Sequence, residues 1–337
     1  KAGKTRFRDV TLESGFGKLP GPGVGVVCAD FNGDGWPDVF VANDARPNRL
    51  WINKHDGTFV DEAVNRGTAL NAMGKAWAGM GVAVGDLNDD GQLAILVSHL
   101  GIETNTLWVQ EPRGMFRDKT MASGLATGAW RGTGWGIVLA DFDHDGRLDS
   151  VVVNGRVNRG PDANPALGAF WSPYSERNQL FAGIGPGRFQ DRSGDEPALC
   201  GTPNVARGLA VGDIDGDGGL DLVVTTVGGR ARVYRNICPN RGHWLLVRCI
   251  DPALGGRDAL GSEVVVIAGG VRRLRLADAG GSFLSSSDAR AHFGLGTTGA
   301  VDGVEVRWPD GSLERFPGSP ANVQLTLRKG SGQPAPR

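Results

Sequence analysis

Four short stretches place oxygen-bearing side chains at alternate positions and then turn on a glycine: DFNGDGWPD (30–38), DLNDDGQLA (86–94), DFDHDGRLD (141–149) and DIDGDGGLD (213–221). Hard oxygen ligands at positions one, three and five, a carbonyl at seven and a carboxylate at nine are what a calcium ion takes from a tight loop. Glycine at position six permits the sharp turn. The first copy offers Asp30, Asn32, Asp34, the Trp36 carbonyl and Asp38; the third offers Asp141, Asp143, Asp145, the Arg147 carbonyl and Asp149. The fourth offers Asp213, Asp215, Asp217, the Gly219 carbonyl and Asp221. The second keeps Asp86, Asn88, Asp90 and the Gln92 carbonyl but ends on Ala94, so it is expected to bind calcium weakly or not at all. An acid/glycine turn without metal explains one such stretch; four copies in one register argue for the ion.

An EF-hand would carry glutamate at position twelve between helices. Position twelve is valine in all four copies (Val41, Val97, Val152, Val224), and the flanks GVGVVCAD and DVFVAND are β-branched and bounded by glycine. Each loop is therefore expected to join two strands. Past the second strand, NRLW (48–51), NTLW (105–108) and NQLF (178–181) predict a third strand, and GTFVDEA (57–63), GMFRDKT (114–120) and GRFQDRS (188–194) a fourth. The first aspartates are spaced 56, 55 and 72 residues apart. Four strands at such a period predict an all-β propeller of four calcium-loop blades over residues 1–239. The fourth repeat lacks its Phe-x-Asp strand, whereas TRFRDVTLESG (5–15) is such a strand with no blade before it, so the N-terminal strand is expected to complete the last blade and close the ring.

Residues 240–329 contain EVVVIAG, VRRLRLADA, GVEVRWP and NVQLTLR, a set of strands that predicts a small β-sandwich. Residues 330–337, GSGQPAPR, read as a disordered tail. His292 is expected to pack or cap, and His144, at a non-ligand position of the third loop, to face solvent.

The Asp loops resemble the FG-GAP/VCBS repeats of integrin α-subunit propellers, over residues 5–237. HWLLVRCI (243–250), RDALGSEVVVIAGG (257–270), GSFLSSSDARAHFGLG (281–296) and VDGVEVRWPDG (301–311) resemble the ASPIC/UnbV domain of the cartilage acidic protein-like and enediyne-associated family. The resemblance implies a secreted (extracellular or periplasmic) calcium-binding propeller with a second β domain, and leaves its chemistry open.

Net charge is −1, which gives no footprint for nucleic acid, and no apolar run approaches the ~20 residues of a membrane span. The 54 glycines, about twice the usual share, suit a turn-rich β architecture. The chain opens at Lys1, as it would after removal of a leader or after trimming. Of Cys28, Cys200, Cys238 and Cys249, the last two either bridge a short loop or, like the others, are small buried thiols.

Two functions follow. In the first, calcium is structural and the face opposite the Asp loops binds a protein, glycan or small molecule. The long loop 155–177, with Arg156, Arg159, Asp162, Phe170, Trp171 and Tyr174, lies on that face. In the second, the chain is a biosynthetic cyclase, lyase or hydrolase, with His99, Glu103, Arg131, Arg156 and Arg207 at the channel mouth.

Overall fold

The computed structural model describes residues 6–335, and its regular structure is almost wholly antiparallel strand. Sheet one runs β1 (Gly23–Ala29), β2 (Asp38–Asn43), β3 (Arg49–Asn53), β4 (Phe59–Asp61). Sheet two runs β5 (Val82–Gly85), β6 (Ala94–Val97), β7 (Thr106–Gln110), β8 (Phe116–Asp118). Sheet three runs β9 (Gly134–Ala140), β10 (Asp149–Asn154), β11 (Gln179–Gly185), β12 (Arg188–Asp191). Sheet four has β13 (Ala206–Gly212), β14 (Asp221–Thr226) and β15 (Arg232–Tyr234). Each Asp loop joins the first two strands of its sheet, and its ninth residue opens the second strand. Two of the second strands, Ala94–Val97 and Asp149–Asn154, are buried throughout.

First strands pack side by side, β1 on β5, β5 on β9 and β9 on β13. Glycines set this approach. A side chain at Gly25 would strike the Met80 carbonyl, one at Gly81 the Trp135 carbonyl and one at Gly136 Leu209. Each stands five residues before its Asp loop. The fourth of the series, Gly208, meets no further sheet; a Cβ there would lie 2.8 Å from Ser285 Oγ.

The expected ring closure is not observed. Residues 282–288 of the C-terminal unit lie along sheet four and also reach the first strands of sheets two and three. Ser282 N donates to Val82 O at 2.6 Å, its hydroxyl bridges Ile137 N (3.2 Å) and Leu209 O (2.8 Å), and Asp288 N donates to Val211 O at 2.9 Å. Phe7 to Asp9 form no strand: the Asp9 carboxylate caps Thr11 N at 2.9 Å and turns the chain, leaving Phe7 96% exposed. The segment instead turns onto sheet one, where Ser14 O accepts from Phe59 N at 2.8 Å. Thr5, where the expected strand began, lies outside the described residues.

The C-terminal unit is two sheets facing each other across one core. One contains β16 (His243–Asp251), β17 (Arg257–Asp258), β20 (Ala291–Gly296) and β23 (Val323–Arg328), with β23 parallel to β16. The other contains β18 (Ser262–Ala268), β19 (Val271–Ala277), β21 (Ala300–Arg307), β22 (Leu313–Pro320) and β24 (Gln333–Pro334). Val247, Val264, Phe293, Val304 and Trp308 fill the space between them. The expected disordered tail is instead ordered as far as Ala335. The Glu314 carboxylate holds Gly330 N (2.8 Å) and Gly332 N (3.0 Å), and β24 pairs with β22; residues 336–337 lie outside the described residues. All four cysteines are unbonded, so Cys238 and Cys249 do not bridge: Cys249 faces the C-terminal core and Cys238 sits in the connector.

Candidate metal centre

The four Asp loops share one backbone design. Position six is left-handed in each, at Gly35 (φ 86°), Gly91 (74°), Gly146 (94°) and Gly218 (87°). Position four is left-handed too, at Gly33, Asp89, His144 and Gly216, although only two of these are glycine. The first aspartate accepts the N–H of the position-six glycine: Asp30 from Gly35 (2.7 Å), Asp86 from Gly91 (2.9 Å), Asp141 from Gly146 (2.9 Å) and Asp213 from Gly218 (3.0 Å).

The ninth residue staples the loop to the third strand or its extension. Asp38 accepts from Phe31 N and Asn53 N, Asp149 from Phe142 N and Gly183 N, and Asp221 from Ile214 N and Asn236 N. Ala94 has no such group, and Gln110 Nε2 bonds the Leu93 carbonyl at 2.9 Å in its place.

In the third loop Asp141, Asp143 and Asp149 each bring a carboxylate oxygen within 4.8 Å of the others, as do Asp213, Asp215 and Asp221 in the fourth. Among the described residues no trio of carboxylates in loops one or two meets that distance. The fifth position is drawn elsewhere. Asp34 faces His55 Nε2 (3.0 Å), Asp90 accepts from Gln92 Nε2 (3.1 Å), Asp145 pairs with Arg147, and Asp217 pairs with Arg241 (2.8 Å). The Asn32 side-chain amide donates to Asp34, whereas at Asn88 it is the backbone N–H that donates to Asp86. The Trp36 ring stacks on His55, and Gly219 N donates to Asp217.

Burial among like charges leaves a clear electrostatic mark, which Arg275 only partly offsets at Asp141. It pushes the Asp141 carboxyl up to about 8, and Asp149 and Asp38 to about 7. Asp86 and Asp145 also shift upward, for the same reason first. Asp141 is 1% exposed, and its Oδ1 has no hydrogen-bond partner. A buried carboxylate oxygen left bare beside two more carboxylates is the situation a divalent cation resolves. The hard, all-oxygen donor set fits calcium.

The C-terminal unit lies against this same face. Gly242 N donates to Asp143 O (3.0 Å), Gly296 N to His144 O (2.7 Å), Arg273 Nε to Gly146 O (3.2 Å) and Arg290 Nη2 to Asp213 O (3.4 Å). His144 does not face solvent: it is buried, with Nδ1 3.0 Å from Gly242 O and its ring 5.0 Å from that of His292. His292 Nε2 lies 3.0 Å from Gly218 O. A carbonyl only accepts, so each of these nitrogens carries a proton. Burial pulls His292 down to about 3 and holds it neutral. The sandwich thus caps the loops, and His292 caps within it.

The five side chains considered for catalysis do not gather in one site but include two pairs, His99 beside Glu103 and Arg207 donating to Arg156 O at 3.3 Å. His99 occupies the repeat position of Asn43 and Asn154: like theirs, its N–H reaches an asparagine (Asn105, 3.4 Å), as Asn43 reaches Asn48 and Asn154 reaches Asn178. It is buried against Trp77, and burial pulls it down to about 4. Glu103 stands 3.9 Å away but accepts from Ala78 N and Leu100 N. Arg131 is exposed and donates to Ala126 O. Arg156 pairs with Glu176 at 3.3 Å, and Arg207 lies 4.1 Å over the Trp135 ring. In the long loop, Trp171 packs on Gly228 and against Phe170 and Tyr174.

Sequence reasoning missed the arginines of β19, Arg273 and Arg275. Their signal was the alternation in VRRLRLADA, which places both on one strand face.

No helix of the described residues is long and apolar enough to cross a membrane. Comparison with known proteins agrees with the two-part organisation. Residues 30–97 match the FG-GAP-like repeat and residues 254–334 match ASPIC and UnbV. The chain is 31% identical over 316 residues to cartilage acidic protein 1 of Xenopus tropicalis, covering 90% of this chain and 44% of that protein. It is 31% identical over 319 residues to the Homo sapiens protein, covering 91% and 44%. It thus spans less than half the length of these curated relatives. Among solved structures, a lectin of Agrocybe aegerita in a study of non-reducing terminal N-acetylglucosamine recognition aligns with a TM-score of 0.34 at 18% identity, over 62% of this chain and 51% of that one. The repeat loops, the C-terminal sandwich motifs and the family and sequence matches place the chain in the family that joins FG-GAP-like repeats to an ASPIC and UnbV domain.

Proposed function

We propose that this chain is a secreted, calcium-stabilised β-propeller module that binds a protein, glycan or small molecule on the face opposite its Asp loops. The observation that carries the calcium reading is the convergence of Asp141, Asp143 and Asp149, with Asp141 Oδ1 buried and bare. Bound calcium would neutralise carboxylates that otherwise repel one another. Asp141, Asp143 and Asp149 would hold it in loop three, Asp213, Asp215 and Asp221 in loop four, and Asp30, Asn32, Asp34 and Asp38 in loop one. The fifth-position carboxylates join when they leave Arg147, Arg241 and His55.

The four sheets, packed first strand to first strand, support four blades of a propeller. The C-terminal sandwich covers the loop side, which leaves a partner the opposite side and its long loop. Extracellular calcium modules bind at about 10⁻⁴–10⁻³ M. Loops with several exposed ligands suit that range, and hence a location outside the cytoplasm.

The test is thermal unfolding in calcium and in excess chelator. A ligand that binds only the native state stabilises by about 2.7 kcal/mol per site at 100 times its dissociation constant. The melting temperature is expected to fall on chelation; an identical value in both buffers overturns the reading.

A further inference from the structure

The second Asp loop departs from the others at two positions together. Position nine is Asp38, Asp149 or Asp221 elsewhere and Ala94 here. Position four is Gly33, His144 or Gly216 elsewhere and Asp89 here, with φ 56°. One carboxylate has left the ligand set, and another has appeared at a position outside it.

That added carboxylate meets the C-terminal unit. Asp89 Oδ2 lies 3.6 Å from Arg273 Nε. Two residues along β19, Arg275 is only 8% exposed. Its Nη1 donates to the carbonyls of Leu274 (2.8 Å) and Asp86 (3.4 Å), while its Nε and Nη2 have no partner. Burying a guanidinium is costly unless carboxylates stand near. Asp141 of the third loop acts most strongly against the effect of burial on Arg275, followed by Asp86 and Asp89 of the second. Leu274, between the two arginines, is buried in the same apolar cluster as Phe31 and Leu93 of the first two Asp loops, so the charged contact has an apolar seat beside it.

We propose that the second loop is a docking socket and not a metal site: its resident cation is the Arg273–Arg275 pair, which seats the C-terminal sandwich on the Asp-loop face. This rests on the calcium reading of the other loops only for its metal count; the docking contact stands without metal.

Two measurements on the full chain test it. Limited trypsinolysis in calcium reads the connector after Arg235 and Arg241. Arg275→Met and Asp89→Asn are expected to be cut there roughly tenfold faster or more, with Arg275→Lys in between. Calorimetric calcium titration is expected to count three sites in the parent chain and in Ala94→Asp, and four in Ala94→Asp combined with Arg275→Met. Unchanged cleavage of both Arg275→Met and Asp89→Asn overturns the socket, as does a fourth calcium in the parent chain or in Ala94→Asp alone. Should Arg275→Met fail to fold, Asp89→Asn, which removes only a partly exposed carboxylate, decides the cleavage arm. If no calcium binds at all, the calcium reading fails while the cleavage result still decides the socket.

Discussion

Asp141 sits where the two units meet. One of its oxygens holds the Gly146 N–H, and a side chain at Gly294 of β20 would strike that oxygen. Its burial has a consequence for pH. Asp141 at about 8, with Asp149 and Asp38 at about 7, titrate well above an ordinary aspartate, so between pH ~4 and ~8 the folded metal-free chain binds more protons than the unfolded one. Its stability therefore falls as pH rises. His99 at about 4 and His292 at about 3 act in the opposite sense, but only below the ordinary histidine value near 6.5. From pH 6.5 to 8 the histidine effect, which His144 shares, fades, and that of the carboxylates outweighs it. Denaturant unfolding in chelator is expected to show lower stability at pH 8 than at 6.5, and saturating calcium to remove the difference; a rise across that window in chelator contradicts the assignment.

The Asp loops were legible at this scale because residue type and spacing alone set their turns. What could not be read was which carboxylates would be occupied by cations from elsewhere in the fold, such as Arg241 on Asp217. His99 shows the converse limit. As a lone histidine beside a glutamate it invites chemistry, but the repeat register makes it the counterpart of Asn43 and Asn154.

At the scale of elements, strand identity was legible in the first three repeats, since Asn-x-Leu-aromatic and Phe-x-Asp mark β3, β7 and β11 and β4, β8 and β12. Closure of the ring was misread because strand pairing is non-local: RFRD carries the right residues, but its partner edge must also be within reach. The glycines five residues before each Asp loop held the missing information, with Gly208 facing Ser285 where a further sheet would stand.

Gly67 gives a test at this scale. It ends the short helix Ala63–Arg66 at φ 87°, and a Cβ there would strike the Phe116 carbonyl of the next sheet. Gly57 has the same φ of 87° with nothing within 4 Å. Gly57→Ala is expected to cost about 1–2 kcal/mol, the left-handed penalty alone. Gly67→Ala is expected to cost roughly 1–3 kcal/mol more, for overpacking between sheets. Equal losses in urea unfolding would mean that the helix ends do not brace neighbouring sheets.

Across the whole molecule, the sandwich covering the Asp-loop face is what composition and motifs left unread. Nothing in the sequence assigns the C-terminal unit to one side of the four sheets, because contacts such as Gly242 to Asp143 and Gly296 to His144 are backbone hydrogen bonds with no residue signature. Once it is there, the Asp loops cease to be an open surface and become the seam between two units. The most direct measurement is anomalous diffraction from crystals of the chain grown with calcium. The expected result is a peak within the ligand cages of loops one, three and four and none beside Asp86; maps without a peak at Asp141 and at Asp213 would contradict the calcium assignment.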